Sequence, residues 1–259
     1  MRIAALFMFL IIVALPLTAG DAADFLKAVA GGDTATVKSM LERDPALANA
    51  HRSNGLSAVA VALFINKGEG FFDPSKNEVL QAILARKPQL DLFDTTAVGT
   101  SAQLEAMLND ASAVTSRTVF GWTPLHLAAF GGNAATTELL IRKGAVIDAR
   151  AKSKFLNTPL QTALLSGQYA TAKILLDHGA DALVRQNGGI APLHEAALLG
   201  RQDLVQLLLD HGAEINSVAD NGMTPLAEAM RGKHEELVTW MKSKGAVVGI
   251  QPDDEVLKK

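Results

Sequence analysis

The sequence predicts an all-α solenoid of about seven stacked helix-turn-helix units, and two periodic markers carry that prediction. A Thr/Ala-Pro-Leu start recurs as TPLH at Thr123–His126, TPLQ at Thr158–Gln161, APLH at Ala191–His194 and TPLA at Thr224–Ala227, in steps of 35, 33 and 33 residues. A second marker, RKGAVID, DHGADAL, DHGAEIN and SKGAVV, places Gly144, Gly179, Gly212 and Gly245 at the same three steps, 35, 33 and 33. Two independent markers in phase define a structural repeat. A unit of this length that cannot bury its own apolar stripe must stack on its neighbours.

Each unit reads as two short antiparallel helices. Threonine at the N-cap offers its oxygen to a free backbone N–H of the first turn, and the proline behind it has no N–H to waste and a pre-set φ. The first helix is rich in small residues (LHLAA, LQTAL, LHEAA, LAEAM), which lets neighbouring helices approach closely. Gly132, Gly167 and Gly200 follow it and supply the left-handed conformation that stops a helix. The second helix carries the apolar bulk (TTELLIRKG, TAKILLDHG, LVQLLLDHG, LVTWMKSKG), and the Gly-Ala pair ends it.

Gly-x-Thr-Pro-Leu-His-x-Ala-Ala, a glycine nine residues after the threonine, then Leu-Leu-x-x-Gly-Ala-Asp resembles the ankyrin repeat, in the manner of exported bacterial members of that family. The likeness covers Gly121 to about Val248. Gln161 and Ala227 stand where the pattern has histidine, and Lys233 stands where it has glycine, with Gly232 one place earlier. The expected division is residues 23–120 for degenerate leading repeats, 121–249 for four regular repeats and 250–259 for a polar tail. In the leading part, FLKAVAGGDTATVKSMLERDPALANA keeps the order helix, Gly-Asp turn, helix, and GLSAVAVALF and NEVLQAILARKPQL echo the first and second helices. An insertion, NKGEGFFDPSK at 66–76, separates these two, and Leu92–Val114 forms a shortened unit.

The first residues have another origin. Arg2, an apolar run from Ile3 to Leu15, Pro16 and then small residues form the layout of a secretory signal peptide at 1–22, with cleavage expected after Ala22 or after Ala19. Thirteen apolar residues fall short of the roughly 20 that span a bilayer. Export to the periplasm or the medium is expected, with membrane contact only in transit; retention of Met1–Leu17 as the anchor of a tethered adaptor is the other reading. Cysteine is absent, so neither disulfides nor thiolate chemistry is available. A net charge of −3 without a Lys/Arg run argues against nucleic acid as a partner.

Catalysis is not expected. No P-loop, dinucleotide fingerprint, HExxH or GxSxG pattern occurs, and no cofactor or metal is called for. His126 and His194 belong to the repeat motif, where the resemblance implies a structural role at the helix cap. His178 and His211 recur one repeat apart, and a metal-dependent enzyme built on them is the alternative weighed against a binding module. Asp181 and Glu214 recur at a position that organises the turn.

The resemblance implies a concave groove that binds another protein through positions the stack leaves free. In this chain those are Phe120, Trp122, Phe130, Phe155, Asn157, Leu165, Asn187, Ile190, Leu198, Met223 and Arg231. Aromatic residues are only 5% of the chain, yet Phe120, Trp122 and Phe130 surround one helix. Either they form a binding hot spot, in which case Trp122→Ala weakens binding by about 2 kcal/mol, or they bury against the shortened unit before them.

Overall fold

The computed structural model describes residues 20–65, 73–152 and 156–249. The fold is all-α: among the described residues there is no strand, only a single antiparallel bridge between His51 and Ser57. The chain divides into two compact units, Met1–Ala113 and Val114–Lys259.

In the first unit, α1 (Asp21–Ala30) packs on α2 (Thr34–Arg43), α3 (Ala58–Leu63) on α4 (Glu78–Leu84), and α5 (Leu92–Val98) on α6 (Ser101–Met107). Successive pairs stack like on like, α1 against α3, α2 against α4 and α3 against α5. The caps follow from local chemistry. Asp33 and Asn77 accept the N–H of the third helical residue, and Thr100 and Gln103 form a reciprocal capping box. Of the 66–76 insertion, only Asp73–Lys76 is described, as a short 3-10 turn capped by Asp73; the Phe71-Phe72 pair lies outside the described residues. Phe25, Leu26, Leu41, Leu63, Leu80, Ile83 and Leu104 are the large side chains sealed in this core. A short helix, α7 (Ala111–Thr115), spans the division between the units.

In the second unit the pairs are α8 (Pro124–Gly131) with α9 (Ala134–Arg142), α10 (Pro159–Leu165) with α11 (Tyr169–Asp177), α12 (Pro192–Leu198) with α13 (Gln202–Asp210), and α14 (Pro225–Arg231) with α15 (Glu235–Ser243). First helices stack on first helices, where the alanines let them approach. One leucine per repeat, Leu125, Leu160, Leu193 and Leu226, is sealed at the same register. Burying each contributes roughly 2 kcal/mol, and truncating one to alanine would cost about 2–5 kcal/mol.

Three hydrogen-bond ladders join neighbouring repeats of this unit. In the first, His126 Nε2 donates to Asn157 O at 3.0 Å, Gln161 Nε2 to Ile190 O at 3.4 Å, and His194 Nε2 to Met223 O at 3.1 Å. In the second, guanidinium Nη1 groups of Arg117, Arg150 and Arg185 donate to the carbonyls of Arg150, Arg185 and Val218. The third runs the other way along the chain. Gln168, Arg201 and His234, at the starts of the second helices, donate to the carbonyls of Phe130, Gly167 and Leu198.

The glycines that stop the first helices serve these ladders. Gly132 has φ +68° and Gly200 φ +72°, and a Cβ on either would run into the ladder side chain of the next repeat, Gln168 or His234. In the last repeat the chain does not use Gly232 for this turn, which has φ −72°; Lys233 itself takes the left-handed conformation at φ 59°. Leu156, in the register of Gly121, Gly189 and Gly222, does the same at φ 56°. An L side chain costs about 1–2 kcal/mol there. Lys233→Gly is therefore expected to stabilise the second unit by about 1 kcal/mol after the extra chain entropy of glycine is counted. The check is the denaturation midpoint: no rise, or a fall, means the strain has already been relieved.

Candidate functional site

The surface in question runs across the first helices of the second unit and the turns that lead into them. The histidine ladder lies directly beneath it. His126 Nδ1 faces the N–H of Thr123 at 3.2 Å and its hydroxyl at 2.8 Å, while Nε2 faces the Asn157 carbonyl. An amide N–H can only donate and a carbonyl only accept, so this imidazole is the neutral Nε2–H tautomer. At this cap the threonine hydroxyl bonds the ring, whereas Thr158 and Thr224 accept from the backbone as the sequence predicts. Burial pushes the pKa of His126 down to about 4, with the Arg117 charge adding to the fall and the bond to Asn157 opposing it. His194 is lowered too, again chiefly by burial. Gln161 reproduces the arrangement with an amide: Oε1 accepts the Thr158 N–H at 3.1 Å and Nε2 donates onward.

The expected groove residues divide into two groups. Trp122 is only 8% exposed and Phe130 only 5%, so of the two readings of this aromatic cluster the outward hot spot is overturned. His126 and Phe130 are four residues apart and share one face of α8. Trp122, just before the N-cap, folds over that face, its ring centroid 6.1 Å from His126 and 5.7 Å from Phe130. Asn157 and Met223 are buried as well. They hold the acceptor carbonyls of the histidine ladder, and the Asn157 amide donates to Thr162 Oγ1 at 2.7 Å. Trp122, Asn157 and Met223 each precede an N-cap, where a side chain has room to turn back over the helix end.

Leu165, Asn187 and Arg231 are exposed, and Phe120, Ile190 and Leu198 are half-buried; Phe155 lies outside the described residues. Leu165, Leu198 and Arg231 share one register with the buried Phe130, at the last turn of each first helix. The row thus opens to solvent only after its first member. Beneath it sits Glu195, 3% exposed, whose Oε1 accepts from Gln186 Nε2 at 2.7 Å while Oε2 has no hydrogen-bond partner among the described residues. Burial raises its pKa well above the usual carboxylate range. One repeat on, Glu228 holds the guanidinium of Arg231.

The two recurring surface histidines do not converge. His178 Nε2 lies 3.4 Å from Glu138, and His211 Nε2 lies 3.3 Å from Asp177, with His211 Nδ1 on the Leu207 carbonyl. Each has a separate acidic neighbour, and among the described residues no three His, Cys, Asp or Glu side chains come together as metal ligands. Asp181 Oδ1 accepts the Leu183 N–H at 2.8 Å, the turn-organising role expected of it. His234, which no sequence motif marks, is a ladder residue. The arginine ladder does leave a signal in the sequence, for Arg117, Arg150 and Arg185 stand 33 and 35 residues apart.

Stacked helix pairs, ladders at a fixed register and short first helices facing a row of free positions define a helical-repeat protein of the interaction type. The family model described as "Ankyrin repeats (3 copies)" matches residues 75–186 and again residues 182–252, which is most of the chain. The protein belongs to the ankyrin-repeat family. Ankyrin repeats are protein–protein interaction modules, typically non-catalytic scaffolds that generally bind other proteins. A comparison with curated proteins returned no match.

Proposed function

We propose that this chain is an exported, non-catalytic interaction module that binds a periplasmic partner protein along the first helices of its second unit. The observation that carries the reading is the row Leu165, Leu198 and Arg231, with Ile190 and Asn187 beside it on the preceding turn. Three of these five are exposed and two half-buried, and in α10 and α12 the other residues are sealed, while α14 exposes Met230 beside Arg231. Apolar side chains left at the surface at a fixed register suit a partner that supplies their cover.

Affinity capture from the exported fraction tests this. The double variant Leu165→Asp/Leu198→Asp is expected to lose capture with an unchanged melting temperature, since neither side chain belongs to the sealed core. Trp122→Ala is expected to destabilise the second unit by the few kcal/mol that truncating a buried aromatic costs, rather than to act as a binding hot spot. Undiminished capture by the double variant would dismiss the proposed surface.

Export rests on the leader, of which residues 1–19 lie outside the described residues. Of the two cleavage points, Ala19 suits the fold better. The Gly20 carbonyl accepts the N–H groups of Ala23 and Asp24 and opens α1, and Ala23 is buried, so a cut after Ala22 would remove the first turn. The mass of the mature N-terminus distinguishes cleavage at either site from a retained anchor.

A further inference from the structure

We propose that Asp94 is a proton-operated latch in the first unit, holding the third helix pair to the second when its carboxyl is neutral and loosening that seam when it ionises. The inference is independent of partner binding.

Asp94 lies in the first turn of α5 and is 1% exposed. Its Oδ1 accepts the hydroxyl of Ser57, itself 4% exposed, at 2.8 Å. Ser57 is the N-cap of α3, and its oxygen in turn accepts the Ala60 N–H at 2.8 Å. The contact thus joins the starts of two first helices, the place that the histidine ladder fills in the second unit. Here, however, the linking group is an acid, and its Oδ2 has no hydrogen-bond partner among the described residues.

The start of α5 offers little help to a charge at this position. Asp91, the N-cap, already accepts the Asp94 N–H at 2.7 Å and uses the positive end of the helix, so a second carboxylate beside it meets a like charge. The elements packed against α5 supply no cation: α3 carries no ionisable side chain, and Glu105, the one on α6, is exposed. The segment leading to Ser57 carries His51, whose ring is turned to the Asn49 carbonyl, and the buried Arg52. Burial first and Asp91 second push the Asp94 pKa up to about 7, against the opposing bonds from Ser57 and the Asp91 backbone. A neutral carboxyl with one unpaired oxygen is tolerable in such a place; a buried charge with so few donors is costly.

The direction of the effect follows. A carboxyl whose pKa is raised by folding binds its proton more tightly in the native state. Stability therefore falls as pH rises from the ordinary carboxylate value of 3.8 to about 7, and stays low above that.

The test is hydrogen exchange on the full chain at pH 5.5 and 8.5, corrected for intrinsic rates, with Asp94→Asn alongside. In the wild type, protection of α3 and α5 amides is expected to fall by roughly tenfold or more at the higher pH, while any pH response of the second unit, which carries its own buried carboxyl at Glu195, is the same in the two proteins. Asp94→Asn keeps an acceptor for Ser57 and should show no such fall. Identical pH profiles for the two proteins would overturn the latch. Should Asp94→Asn fail to fold, the titration of the wild-type Asp94 carboxyl carbon decides: a midpoint near neutrality supports the latch, and one near 4 removes it.

Discussion

Gly121→Ala is expected to destabilise the second unit by about 3 kcal/mol. Gly121 has φ +76°, where an L side chain costs about 1–2 kcal/mol. The remainder comes from a close approach. A Cβ at this position would stand 2.7 Å from the backbone N and 2.8 Å from the Cα of Lys152, atoms of the next repeat that cannot turn aside. Moving Lys152 would break its N–H bond to the Gly121 carbonyl, now 3.3 Å, and disturb the Arg117 guanidinium that donates to the same oxygen at 2.6 Å. Gly144→Ala is the natural control, because Gly144 has φ +86° but open space around the missing Cβ. Denaturant unfolding of both variants separates strain from contact. Equal losses would mean that the approach of Lys152 carries no energetic weight.

The second large effect concerns acid. His126→Gln should leave stability near pH 7.5 almost unchanged, since Gln161 already performs the same two hydrogen bonds one repeat along. Below neutrality the two proteins part. The imidazole has its pKa lowered by folding from 6.5 to about 4, so in that window the unfolded chain binds a proton that the native state refuses. Stability that is complete above pH 6.5 is then lost as pH falls through 4, by about 3 kcal/mol for this one group. An amide has no proton to gain, and the variant should escape that part of the acid loss. Denaturation midpoints at pH 4.5, 5.5, 6.5 and 7.5 give the comparison. Parallel curves for the two proteins would show that His126 is not the acid-sensitive group. His194, shifted the same way, adds in the same direction.

The repeat was legible because its markers are local. Thr-Pro at a helix start and Gly-Ala at a helix end are dictated by cap and turn geometry, and they can be read without knowing the neighbours. The face of the site was less legible because exposure is decided between repeats. Trp122 and Ile190 both stand between the glycine and the N-cap of their repeat; one folds over its own helix onto His126 and the other remains half in solvent. No property of the Gly-x-Thr register distinguishes them. The ladders show the same limit from the other side. Arg117 or Gln168 is unremarkable as a single residue, and its role emerges only when a carbonyl one repeat away is brought within reach. In the first unit, Asp91 and Asp94 do keep the three-residue spacing of Thr123 and His126. LFDTTA gives no hint of TPLH, though, so the acid in the histidine register went unseen.

The ladders of the second unit have an end as well as a direction. Ala227 stands where the next donor imidazole would be and Val218 where the next guanidinium would be, while the Thr224 hydroxyl turns to the Val247 carbonyl at 2.9 Å. A further module spliced on after Gly249 would meet a methyl group and a valine where its predecessors met donors. A module copied between Asn187 and Val218, by contrast, would inherit both a giver upstream and a taker downstream. Engineers wishing to lengthen this scaffold should cut it in the middle and leave its last turn of sequence alone.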